Sequence, residues 1–271
     1  MKFHQIIPVT FALFILQLKT ASAFFVGQDP IPNDDSSAVR EFDFSIEYGT
    51  TRLYRGIKSS TNPYIRPSID YAAPSGFYSG LTSYISLDSG NVDETDLSVG
   101  YEFSLSRQTK MSLEFIHYFF RNNKLANSLI KNGVELYLRH DFGSVLKSKL
   151  YFDVDFGNGL SDRSLTLDNS HDFVVYDVFA DDSKMSIRPA FSLTAGSLNL
   201  VRKVKKDVLT TGFGLTNYDL SLSLEYEIGR FIIEPEAAFD FPVSGKQPLL
   251  KKATKSDPVF YFTASITYVI D

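Results

Sequence analysis

The amino-acid sequence predicts an all-β chain closed into a transmembrane, up-and-down antiparallel β-barrel of 12 strands. Three observations carry this prediction. Segments of about ten residues alternate apolar and polar side chains, the period of a strand with one greasy and one wet face. Turn residues separate these segments at alternately short and long intervals, as in a barrel with tight turns at one end and loops at the other. Beyond the N-terminus no apolar run is long enough for a transmembrane helix, which leaves alternating strands of about 9–11 residues to cross.

Composition agrees with this class. The chain has 271 residues, 44% hydrophobic and 14% aromatic, a size ordinary for one all-β domain. Cysteine is absent, which excludes a disulfide framework and thiolate metal sites. Tryptophan is absent too, so 15 Tyr and 24 Phe must supply any interfacial girdle.

Residues 1–23 read as a cleaved secretory signal peptide. Lys2 gives the positive start, Ile6 to Leu18 the apolar core and Ala21-Ser22-Ala23 the cleavage site. Its removal takes two lysines and no acids, moving the formal charge from −5 to −7. Residues 24–38, with Pro30 and Pro32, read as a flexible periplasmic arm. Residues 39–271 form the barrel domain.

The first strand sets Phe42, Phe44, Ile46 and Tyr48 against Glu41, Asp43, Ser45 and Glu47. The second to fourth span Tyr64–Tyr71, Phe77–Leu87 and Asp96–Phe103, with a Pro74-Ser75-Gly76 turn after the second and a loop from Asp88 to Glu94 after the third. The fifth is Met111–Phe120. The sixth carries Val134, Leu136 and Leu138 outward, and the seventh Leu150, Phe152, Val154 and Phe156. A loop over Asn158–His171 then leads to an eighth strand at Phe173–Ala180, and an Asp181-Asp182-Ser183 turn leads to a ninth with Met185, Ile187, Phe191 and Leu193 outward. Strands ten to twelve cover Tyr218–Ile228, Phe231–Phe241 and Val259–Ile270. Pro67, Pro189 and Pro235 lie within strand segments and read as bulges or strand ends. The final Tyr268-Val269-Ile270-Asp271 keeps the alternation but lacks the terminal aromatic residue usual in such barrels.

Three blocks within this frame share a pattern. They are Tyr54-Arg55-Gly56-Ile57 with Ser60; Asp70-Tyr71 with Pro74-Ser75-Gly76-Phe77-Tyr78 and Gly80; and Glu94, Asp96, Leu97, Gly100 and Tyr101. Their spacing and residue types resemble the signature of the TorF family of porins, over the first part of the mature chain only. The resemblance implies a Gram-negative outer-membrane barrel and a channel.

Chemistry is sparse. His117, His140 and His171 lack metal-ligand spacing, and parity places His117 and His140 on the lipid side. No Gly-x-Ser-x-Gly accompanies His140-Asp141 or His171-Asp172. The sequence therefore predicts no catalytic, cofactor or metal site. Inward parity or rim position instead nominates Arg55, Asp70, Asp96, Glu102, Glu114, Glu135, Arg139, Asp153, Glu225 and Glu234 as pore-lining. Of these, Arg55, Asp70 and Asp96 within the family-like blocks serve either as ion pairs bracing the barrel or as contacts for a permeant. Outer loops carry Arg202, Lys203, Lys205 and Lys206, and Lys251 and Lys252, suited to lipopolysaccharide phosphates.

The expected function is diffusion of small polar solutes through an outer-membrane pore that leans toward cations. The partners are outer-membrane lipid, lipopolysaccharide and the barrel-assembly machinery, and nucleic acid is not among them. A plugged structural or partner-binding barrel is the alternative, and a barrel-embedded lipid hydrolase stands behind it.

Overall fold

A period-two pattern has meaning only when each strand finds two neighbours, and in this chain every wall strand does. The computed structural model describes residues 41–54, 57–60, 62–121, 130–143, 146–158, 160–197, 199–201, 208–210, 212–243 and 257–270. The first half contains β1 (Glu41–Gly49), the short hairpin β2 (Arg52–Tyr54) and β3 (Ile57–Ser60), then β4 (Tyr64–Ala72), β5 (Phe77–Ser86), β6 (Val92–Ser104), β7 (Thr109–Phe120), β8 (Asn132–Asp141), β9 (Lys147–Gly157) and β10 (Leu160–Ser170). The second half contains the short β11 (Phe173–Tyr176), β12 (Lys184–Ser197), the hairpin β13 (Asn199–Val201) and β14 (Val208–Thr210), β15 (Gly214–Ile228), β16 (Phe231–Pro242) and β17 (Val259–Ile270).

Twelve of these strands form one closed antiparallel ring, in the order β1-β4-β5-β6-β7-β8-β9-β10-β12-β15-β16-β17 and back to β1. The closing seam runs from Phe42 opposite Ile270 to Gly49 opposite Thr263. Closure leaves no free edge in the wall, which hydrocarbon demands because it offers backbone N–H and C=O groups no partner.

Closure also fixes the two faces. Ile46 is 60% exposed, Leu222 53% and Leu113 52%, whereas Ser223 on the opposite parity is 3% exposed. Such a surface makes no sense in water and is what lipid tails solvate. Aromatic pairs gather near both rims: Phe42 and Tyr71 at 4.8 Å and Phe231 and Tyr268 at 5.0 Å near the chain ends, and Tyr218 stacked on Phe241 at 4.8 Å near the loop end. They form the girdles expected at the two interfaces.

Three sequence expectations need correction. The eighth wall strand is β10, not Phe173–Ala180. The stretch read as a loop pairs with β9 from Leu160 opposite Gly157 to Ser170 opposite Lys147, and with β12 on its other side. On the outward parity of β10, between Arg163 and Asn169, only Leu165 and Leu167 are apolar, so the alternation was too faint to read. The hairpin signal was there in Asn158-Gly159, and Asn158 takes a positive φ of 48°. Phe173–Tyr176 extends along β12 alone, and 177–183 turns back with positive φ at Asp177, Phe179 and Asp182. Second, Pro67, Pro189 and Pro235 sit in strand interiors at regular register, not at bulges or strand ends. Third, β6 begins at Val92, so Glu94 belongs to the wall and not to a loop. Residues 1–38 and Asp271 lie outside the described residues.

The two parities make a direct prediction. Leu222→Arg places a charge against hydrocarbon and should cost roughly 2–4 kcal/mol near the midplane. Ser221→Arg, which projects into an acidic lumen, should cost far less; urea-dependent refolding into lipid vesicles compares the two.

Candidate functional site

The lumen is built by the polar parity of the twelve wall strands, and its upper half holds two adjoining cavities. One, of about 490 Å³, lies against β8, β9, β10, β12, β15 and β16. The other, of about 500 Å³, lies against β4 to β7. Leu53, Ile116, Tyr118, Asp155 and Tyr261 border both.

The second cavity is shaped by Thr51, Arg52 and Leu53, which follow β1 and line the lumen. Arg52 Nη2 meets Glu94 Oε2 at 2.5 Å, and its guanidinium lies 3.8 Å above the Tyr84 ring. Glu94 is only 5% exposed, so its buried charge is matched by the Arg52 guanidinium, which is itself seated on the Tyr84 ring. Beside it, Arg66 Nη2 donates to Glu47 Oε2 at 2.6 Å and Tyr64 donates its hydroxyl proton to Glu47 Oε1 at 3.0 Å. Asp96 lines the same cavity, and its Oδ1 meets no hydrogen-bond donor.

The first cavity has the opposite balance. Glu135, Asp153, Asp155, Asp168, Asp219, Glu236 and Asp240 line it, and no lysine or arginine is among its described lining residues. A β-bulge aims part of this wall. Thr194 pairs with Asn217 and Ala195 with Leu215, so Thr216 is the extra residue and both Thr216 and Asn217 are buried inward. Asn217 Nδ2 then donates to Asp219 Oδ2 at 2.9 Å and to Asp240 Oδ2 at 3.0 Å.

The nominated residues divide by depth. Asp96 and Glu114 line the second cavity, and Glu135 and Asp153 the first. Asp153 accepts a hydrogen bond from Ser164 at 2.6 Å, and Asp70 accepts one from Ser68 at 2.8 Å. Toward the chain ends the pattern changes to pairs: Lys110 with Glu102 at 2.7 Å, Arg139 with Asp141 at 2.8 Å, and Arg188 with Glu225 at 3.3 Å and Glu234 at 3.6 Å. Arg55, Arg202, Lys203, Lys205, Lys206, Lys251 and Lys252 lie outside the described residues. Sequence reasoning missed Arg52 because it lies in a connection, and Glu94 because the stretch from Asp88 to Glu94 reads as a loop although β6 begins at Val92. His117 bonds Asn132 through Nδ1 at 2.8 Å and His140 bonds Thr109 at 2.8 Å, both on the outward parity.

The glycines of the second and third family-like blocks have a physical explanation here, and Gly56 of the first lies outside the described residues. A Cβ on Gly80 would stand 2.4 Å from Asp70 Oδ1, and one on Gly100 would stand 2.2 Å from the Tyr78 ring. Gly76 has a φ of +93°, and a Cβ there would meet the Glu102 carbonyl at 2.2 Å.

With this geometry in hand, the barrel compares with solved structures. It is similar to a KdgM porin at a TM-score of 0.50 and 11% identity, covering 85% of this chain and 99% of the porin. A KdgM porin in complex with disordered oligogalacturonate gives 0.49 at 12% identity, over 85% and 99% of the two chains. LpxR from Salmonella typhimurium gives 0.43 at 8% identity, over 83% and 99%. The fold is that of an outer-membrane β-barrel. No family model and no curated protein sequence matches the chain.

One carboxylate outside the wall strands organises the rim near the chain ends. Asp172 accepts from Lys147 Nζ and from Arg188 Nε, each at 2.5 Å, and so ties β9 to β12 beneath β10. Burial alone would raise its pKa, but these two hydrogen bonds and the charges behind them hold it below the usual carboxylate range. A depressed folded pKa contributes stability above the unfolded value near 3.9 and loses it as pH falls through the folded value. The stability gap between the native barrel and Asp172→Asn should therefore be full at pH 6–7 and shrink below about pH 4, read by refolding midpoints at each pH.

Proposed function

We propose that this protein is an outer-membrane channel of the TorF type that passes small polar solutes by diffusion and prefers cations. The observation that carries the reading is a carboxylate-lined lumen enclosed by a lipid-facing wall. Unpaired lining charge in a narrow, low-dielectric passage attracts counter-ions and repels co-ions, so carboxylates favour cations. The fit of Gly76, Gly80 and Gly100 to their neighbours supports the family reading. Within it, residues 1–23 serve as the export signal and 24–38 as a periplasmic arm. Arg202, Lys203, Lys205, Lys206, Lys251 and Lys252 serve as outer-leaflet phosphate contacts.

A second reading, a plugged barrel, is favoured by one specific feature. Leu53 borders both cavities, and the adjoining Arg52 reaches across the second to meet Glu94, so these residues narrow the lumen there.

Purified protein in planar bilayers separates the two. An open channel gives stepwise conductance, with a reversal potential under a salt gradient on the cation side that weakens as salt screens the lining. Absence of steps favours the plugged barrel, and anion preference contradicts the assignment to lumen carboxylates. Replacing the constriction is a second test. Arg52→Ala releases the inserted connection and leaves Glu94 without its charged partner, so single-channel conductance should rise and cation preference sharpen. Unchanged conductance would place the narrowest point elsewhere.

A further inference from the structure

The first cavity has an internal order that a merely acidic lining would not require. Six of its seven carboxylates stand in two banks, and the seventh, Asp168 on β10, lies between them. Glu135, Asp153 and Asp155 form one on β8 and β9, and Asp219, Glu236 and Asp240 form the other on β15 and β16. Between them, β10 and β12 present a floor of small side chains, including Ser164, Thr166, Ala190, Ser192 and Thr194. From β9 to β15 the wall advances three strand spacings, roughly 14 Å along the curve at about 4.8 Å each.

A second observation points to a missing cationic partner at one bank. Asp240 is 1% exposed, and its Oδ2 accepts from Asn217 at 3.0 Å. Its Oδ1 is buried and meets no hydrogen-bond donor. The same Asn217 amide holds Asp219 Oδ2 at 2.9 Å, to which Ser192 Oγ also donates at 3.1 Å, so the two carboxylates are met here by neutral donors. A buried carboxylate oxygen without a donor is costly, and a bound ammonium would supply both the charge and the hydrogen bonds.

We propose that this cavity is a binding site for linear polyamines, with one ammonium end at Asp219 and Asp240 and another across the floor at the Glu135–Asp153–Asp155 bank. The ligand class follows from the layout. A small monovalent cation satisfies one bank only, whereas a chain of methylenes between ammonium groups spans the gap. The small side chains of the floor leave room for such a chain, and Tyr118, Ile116 and Leu53 cover it from the far side. The site deepens the cation-channel reading and rests on it only for how ligand arrives: a polyamine held there would slow the passage of smaller cations.

The test is calorimetric titration of the full barrel in detergent at low salt with spermidine, and with butylamine as a single-charge control. Saturable spermidine binding is expected, with butylamine at least about tenfold weaker, as loss of one bank's contact implies. Asp219→Asn with Asp240→Asn should weaken spermidine roughly tenfold or more, and Glu135→Gln, on the opposite bank, should do likewise. Asp88→Asn in an exposed outer turn should change nothing. Heat-shifted migration on unboiled gels checks that each variant is folded. No saturable binding, equal binding of both amines, or equal binding by the bank variants would overturn the site. Bilayer recordings keep the two ideas apart. A barrel that conducts without binding spermidine retains the channel and loses the site, and one that binds without conducting does the reverse.

Discussion

The structure depends first on the hydrogen bonds of its backbone. In hydrocarbon each unpaired N–H or C=O costs several kcal/mol, so a sheet that spans a membrane must pair every strand on both edges. The β1–β17 seam and the β10–β12 junction achieve this and turn twelve strands into a ring. Once the ring closes, side-chain direction is no longer a local matter. Every second residue meets lipid and every other one meets the lumen, and the polar residues have nowhere else to go.

That constraint explains the uneven distribution of charge inside. Near the chain ends the carboxylates are matched by bases: Glu102 by Lys110, Asp172 by Lys147 and Arg188, and Glu225 by Arg188. Pairing there locks neighbouring strands at a rim where solvent and lipid headgroups meet. Higher up, the described residues lining the first cavity include no lysine or arginine, while the second cavity receives Arg52 and Arg66. The described lining is thus electrically asymmetric across the lumen.

Precision in this region comes from backbone irregularities and from small residues. The bulge at Thr216 turns two successive side chains inward and brings Asn217 between Asp219 and Asp240. Gly100 lets the Tyr78 ring lie flat across the neighbouring strand, and Gly133 does the same for Tyr118, whose hydroxyl reaches Asp155 at 3.0 Å. Such close approaches fix large polar side chains against the wall.

The sequence alone determined the fold class, the count of twelve wall strands, the facing of most of them and the acidic character of the lumen. These follow from alternation, which is local and strong wherever several apolar residues share a parity, as at Phe42, Phe44, Ile46 and Tyr48. Alternation failed where the outward face of β10 carried only Leu165 and Leu167, and there the aromatic run at Phe173–Tyr176 drew the strand assignment past its true position. Only the tertiary structure decided that Arg52 enters the lumen to meet Glu94, because the two lie on different elements and one sits in a connection. Only it showed that carboxylates from β8, β9, β15 and β16 face each other over a floor of small residues. Parity tells a residue which side of the wall it faces; ring closure and register decide which residues it faces across the lumen, and those are properties of the whole barrel.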